Sequence, residues 1–165
     1  MILDINQFAN VFESIPSQIV TVIIGATPIF ELRGAIPFAV GVYDMNIFQA
    51  YFWAMIGNII PVLIILFFLE VVVKFLSKKF LFWNLFFRWL FERTRRRSHD
   101  KIEKYGSWGL FLLVAIPLPM TGGWTGALAA FIFGIERKKS IPVIILGIMT
   151  AGIIVSLLTM GVVSL

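Results

Sequence analysis

The chain is 165 residues long, 59% hydrophobic and only 14% charged, with no Cys and a formal net charge of +5. A soluble domain averages about 45–50% apolar residues and about 25% charged ones, and one of this length leaves about 30% of its unfolded surface wet. The composition therefore excludes a soluble globular domain, a disordered chain and a disulfide scaffold, and leaves an integral membrane protein of one domain, residues 1–165, whose basic residues report topology rather than nucleic-acid binding.

Residues 1–14 place apolar Ile5, Phe8, Ala9 and Phe12 among polar Asp4, Asn6, Gln7 and Asn10, the spacing of a short amphipathic helix. The first basic residue is Arg33, so no cleavable signal peptide is expected. Four long apolar stretches follow, at 15–42, 48–73, 108–135 and 141–165. Each is long enough to cross a hydrocarbon core of about 30 Å, which takes roughly 20 helical residues.

Between the second and third stretches, residues 74–105 hold Lys74, Lys78, Lys79, Arg88, Arg93, Arg95, Arg96, Arg97, Lys101 and Lys104, ten of the 14 Lys and Arg. Against them stand Glu92, Asp100 and Glu103, so the positive-inside rule makes this segment a cytoplasmic linker. Within it the aromatic-rich residues 80–91 read as an interfacial helix. The short loops then separate two topologies. Were all four stretches to span, Arg137, Lys138 and Lys139 would lie opposite the basic linker. If the first and third instead enter and leave on one face, those cations return to the cytoplasm and Asp44 falls outside.

Helix breakers agree with the second topology. Pro28, Gly34, Pro37 and Gly41 interrupt the first stretch; Pro117, Pro119, Gly122, Gly123 and Gly126 interrupt the third. Inside a helix Pro costs about 3 kcal/mol and Gly about 1, so each cluster reads as a broken helix, with structural breaks at Pro28, Pro37, Pro117 and Pro119. Two Pro-kinked spanning helices are the plainer alternative. Broken backbone at membrane depth persists only where protein or a water-filled cavity covers it. The fold class that follows is an all-α integral membrane protein. It is an inverted repeat of re-entrant hairpin plus transmembrane helix, with a first repeat at 15–73 and a second at 106–165. Gly122, Gly126, Ala130 and Gly134, with the pairs Gly147/Ala151 and Gly152/Ser156, form small-residue ridges for helix packing. Four stretches enclose little volume, which a homodimer would enlarge.

Apart from Glu70 near a helix end, the ionisable residues inside the apolar stretches are Glu31 and Arg33. A charge at membrane depth costs at least about 2.5–3.5 kcal/mol on insertion scales, so its default reading is functional. Glu31 suits uptake of a proton or cation and Arg33 attraction of an anion; the plainer alternative is an ion pair that locks the break. Half-helices starting near Gly34 and Gly122 would turn their positive dipole ends inward and favour a phosphate or carboxylate. In the second break Thr121, Gly122, Trp124 and Thr125 are placed either to contact a substrate or only to cap the half-helix. Asn58 and Pro61 either line a cavity or, as is commoner, form a Pro kink with a bonded Asn, and the Arg-rich run at 93–97 either fixes topology or holds anionic lipid. His99 is expected to be solvated. No GxSxG, HExxH, Walker A or GxGxxG occurs, so no catalytic residue, metal or cofactor is expected.

At the two breaks, Pro28-Ile29-Phe30-Glu31-Leu32-Arg33-Gly34-Ala35-Ile36-Pro37 and Ile116-Pro117-Leu118-Pro119-Met120-Thr121-Gly122-Gly123-Trp124-Thr125-Gly126-Ala127, with Tyr105-Gly106-Ser107-Trp108-Gly109-Leu110-Phe111 before the second, resemble the small multi-drug export proteins of prokaryotic membranes. The resemblance covers residues 15–160, and Met120-Thr121-Gly122-Gly123 is a mild variant of a Gly-Thr-Gly-Ala-like stretch. That family is similar, more distantly, to the DedA (VTT-domain) proteins, which have two re-entrant loops in an inverted repeat. Some DedA relatives move lipids, polyprenyl phosphates among them, using membrane-embedded acids and arginines. The resemblance implies a transporter of the cell (inner) membrane, in contact with membrane lipids, that moves an anionic or amphiphilic substrate with proton or cation coupling. Small-molecule export and a non-transporting membrane-organising role are the alternatives.

Overall fold

The computed structural model describes residues 15–79, 81–117 and 121–163. Among the described residues are seven helices and no strand: α1 (Ser17–Ala26), α2 (Glu31–Tyr43), α3 (Ile47–Lys79), α4 (Leu81–Tyr105), α5 (Trp108–Ala115), α6 (Gly123–Ile132) and α7 (Arg137–Val163). The amphipathic helix expected at 1–14 lies outside the described residues. The chain divides into two compact units, Met1–Ile59 with Met149–Leu165, and Ile60–Ile148.

The second and fourth apolar stretches are continuous helix. Ile47–Leu76 and Arg137–Val162 are long and apolar enough to cross a membrane, by length and composition. The first and third stretches are each cut in two: α1 has 10 residues, α2 13, α5 8 and α6 10. At 1.5 Å rise per residue none exceeds about 20 Å, against a hydrocarbon core of about 30 Å.

The helices run on where the sequence suggested they would stop. α3 continues through its interior Pro61 and past residue 73, and Glu70 and Lys74 close an ion pair of 2.7 Å one turn apart. α4 carries the aromatic run at 80–91 straight into the charged run. There Arg93 lies 5.1 Å over the Trp89 ring and His99 meets Glu103 at 3.0 Å, both four residues apart. Pro37 is not a break: it lies inside α2, exposed.

In the first unit α1 and α2 pack on each other over Val20, Leu32, Ala35, Ile36 and Ala39. α1 also lies backbone to backbone on α3. A Cβ at Gly25 would come within 2.8 Å of the Ala54 carbonyl oxygen, and one at Gly57 would overlap the Val22 carbonyl. In the second unit α5 and α6 pack on α4 and on each other, with Phe91 and Phe131 5.7 Å apart. Gly109 sits against the Lys101 carbonyl, and Gly126 and Gly147 against Val114. Gly152 faces the Tyr51 ring in the first unit, so the pairs read as packing ridges do pack. Gly134 does not: its φ is +64 with nothing within 4 Å, and it ends α6.

Replacing Gly57 by Ala should separate α1 from α3 and cost about 1–3 kcal/mol, the range for overpacking. Gly41→Ala, where nothing lies within 4 Å, should leave stability unchanged or raise it by up to ~1 kcal/mol. Denaturant titration of the detergent-purified variants measures both.

Candidate functional site

The first break is built around one hydroxyl. Pro28 has no N–H to give the Ile24 carbonyl, and Thr27 serves it instead, through its N–H at 3.1 Å and its hydroxyl at 2.7 Å. The same Oγ1 accepts from the Phe30 N–H at 3.4 Å, and the Thr27 carbonyl accepts from the Glu31 N–H at 3.1 Å. Thr27 thus fastens both sides of a turn whose tip, Pro28, Ile29 and Phe30, is exposed. It was not among the expected site residues, although a Thr directly before Pro at a helix end is the signal that finds it.

Helix resumes at Glu31, three residues before the start expected near Gly34. Glu31 is 4% exposed and has φ +48. Left-handed backbone costs an L-residue about 1–2 kcal/mol, and such strain collects at functional sites. Among the described non-glycine residues Asp44 shares it, at φ 48, but there it is an ordinary helix stop, after which the Met45 N–H closes onto the Ala39 carbonyl at 3.1 Å. Glu31 begins a helix and has no such routine reason.

Arg33 follows in the same turn, half-buried and within electrostatic reach of Glu31. At a helix N-terminus the dipole favours the carboxylate and disfavours the guanidinium. Gly34 completes the turn by making room for Phe30: a Cβ there would lie 2.8 Å from the Phe30 Cβ. Glu31, Arg33 and Gly34 are therefore gathered in one helical turn. In the same unit Asn58 is fully buried, and its Oδ1 has no hydrogen-bond partner. It stands beside the Gly57 carbonyl, which Pro61 leaves without a helix donor. The bonded Asn expected at this kink is not what the structure has at Oδ1.

The second break belongs to the other unit. Ile116 is extended, Pro117 is half-buried, and Pro119 lies outside the described residues. Thr121 donates its hydroxyl to the Ile116 carbonyl at 3.1 Å, bridging the gap. Gly122 is buried with φ 138, a conformation side chains rarely adopt, and α6 begins after it, where a half-helix was expected. Gly126 gives its N–H to the Gly122 carbonyl at 2.8 Å. By helix geometry the N–H groups of the three residues before it, Trp124 and Thr125 included, point out of the helix end. Among the described residues no group of three or more His, Asp and Glu side chains gathers to hold a metal ion.

Glu31→Gly removes the backbone strain with the carboxylate, whereas Glu31→Ala removes the carboxylate alone. The Gly variant should be the more stable by about 1 kcal/mol or more, reversing the helix-interior order in which Ala exceeds Gly by about 1 kcal/mol. Chemical unfolding of both in one detergent decides the order.

A family model described as "Putative small multi-drug export protein" matches residues 31–154. No curated protein and no solved structure matches the chain. The family's name points to multi-drug export by a small protein, and with the two long apolar helices it fits a membrane protein. Because the match runs from the strained start of α2 to the second half of α7, the chain belongs to the small multi-drug export protein family.

Proposed function

We propose that the chain is a multi-pass transporter of the cell membrane that moves an anionic or amphiphilic substrate, a lipid phosphate being the class its chemistry suits best. The observation that carries this reading is Glu31, a buried acid in left-handed backbone at a break between two short helices. Burial and strain together make its placement costly. Glu31 takes up a proton or cation, and its neutralisation leaves Arg33 at the positive end of the α2 dipole, a place that an anionic group satisfies. Thr121, Trp124, Thr125 and the N-terminus of α6 offer hydroxyl, indole and backbone donors to the same class of group. The mechanism is alternating access or lipid flipping, with no covalent chemistry.

The helix lengths support a re-entrant path. α1 with α2, and α5 with α6, are too short to span singly and pack as pairs, so each pair enters and leaves on one face. Arg137, Lys138 and Lys139 then share the cytoplasmic side with the basic linker. α3 and α7 cross in opposite directions, the inverted repeat common among secondary transporters. The family's name favours a second reading, export of small drug-like amphiphiles through the same route.

Flux into proteoliposomes of polyprenyl phosphates and of drug cations tests both. Movement of the phosphates should fall at least about tenfold, the factor carried by 1.4 kcal/mol, in Glu31→Gln and in Arg33→Ala. Undiminished flux in both variants sinks the site. Movement of drug cations alone selects the second reading, and movement of neither leaves the membrane-organising role. Topology is read by cysteine labelling, since the native chain has no Cys. Asp44→Cys and Lys138→Cys should label from opposite faces, and Lys138→Cys from the same face as Arg96→Cys. Outside labelling at 138 removes the second hairpin.

A further inference from the structure

The face of α4 that packs inward is defined by buried Phe87, Thr94, Ser98 and Ile102, with Phe91 on Phe131 and His99 on the Phe133 ring. The opposite face is not uniformly polar, as it would be on a helix lying flat at a membrane surface. Its first turns are Phe82, Leu85, Phe86 and Trp89, all exposed. Its next turns are Arg93 and Arg96, and then Asp100 and Glu103, with Arg97 alongside. The outward face therefore changes from aromatic to cationic along the helix axis, between Trp89 and Arg93. Those four residues span about 6 Å at 1.5 Å each, and the headgroup layer on one side of a bilayer is roughly 5–8 Å deep. An indole at this level matches the aromatic belt, and an arginine cluster just beyond it matches the phosphate layer.

At that changeover lies an open cleft of about 480 Å³ lined by Trp89, Glu92, Arg93, Arg96 and Arg97. Three guanidiniums and one carboxylate give it a net charge of +2. Arg93 is held 5.1 Å over the Trp89 ring, so one wall pairs an apolar plate with a forked phosphate donor. We propose that this cleft binds the headgroup of an anionic glycerophospholipid, with the phosphate on Arg96 and Arg97, the glycerol backbone against Trp89, and the acyl chains along Phe86, Leu85 and Phe82. A zwitterionic lipid places its second charge on the ammonium and loses part of the attraction. A free phosphate lacks the chains that the aromatic half of the face would cover. The site rests on the membrane placement above but not on any transport activity.

The test uses the full chain purified in detergent, titrated with dioleoyl phosphatidylglycerol, phosphatidylethanolamine or phosphatidylcholine, with bound lipid counted by native mass spectrometry. Phosphatidylglycerol should bind preferentially. R96Q/R97Q should weaken it roughly tenfold or more, as loss of two juxtamembrane cations predicts. W89L should weaken it less, and K104Q/K138Q, which removes the same charge outside the cleft, should not. Matching circular dichroism shows that each variant is folded. Unchanged binding in both R96Q/R97Q and W89L overturns the site, as does equal affinity for phosphatidylcholine or for glycerol phosphate. A chain that stays in solution without detergent would overturn the membrane reading itself, a separate failure seen before any lipid is added.

Discussion

A peptide group left without a hydrogen bond in hydrocarbon costs several kcal/mol, and a helix end exposes four donors or four acceptors at once. Two of the four apolar stretches here contain such ends. Their persistence depends on contact so close that backbone covers backbone. Gly25 and Gly57 bring α1 against α3, and Gly109 brings α5 against α4. Thr27 supplies, from its side chain, the bond that Pro28 forgoes, and Thr121 closes its hydroxyl onto the Ile116 carbonyl next to Pro117. Without these contacts a break would be only a defect; with them it is a stable place for polar groups inside an apolar segment.

That stability explains how Glu31 can be where it is. The turn that Thr27 fastens delivers the chain to α2 with its first residue in the left-handed region, and the residue there is an acid rather than a glycine. Glycine would cost less in strain, and any apolar residue less in desolvation.

Much of this was legible in the residues. Clustered Pro and Gly located both breaks, and the basic residues of 74–105 marked one long polar excursion. The charged pair stood out because the surrounding stretches hold so little else that ionises. What was not legible has physical causes. Nothing local tells a Glu that it will adopt a positive φ, since that conformation is imposed by Thr27 and the turn before it. Small residues recur every fourth position before Gly25 (Ser17, Thr21) and at Ala50 and Ala54 before Gly57, but that these two rows meet, Gly25 on Ala54 and Gly57 on Val22, only packing reveals. Gly134 showed the reverse error, a glycine in perfect register with a ridge that serves to end α6. Pro37 reads as a break by its average cost in a helix interior, whereas α2 runs through it with the ring on the exposed side. In α4, pairs at four-residue spacing keep the charged run helical, which a reading by polarity takes for a loop.

The glycine contacts also bear on how the chain can be assembled as it is made. α1 is covered by Ala54 and Gly57, which emerge from the ribosome some thirty residues after it. Until then the glycine face of α1 lacks the α3 backbone that covers it in the folded chain. α5 meets a different situation, because Lys101 of α4, the surface that Gly109 touches, has already been synthesised. The two pairs of short helices thus form under unequal constraint: α1 waits for its partner helix, and α5 arrives to find one of its partners in place.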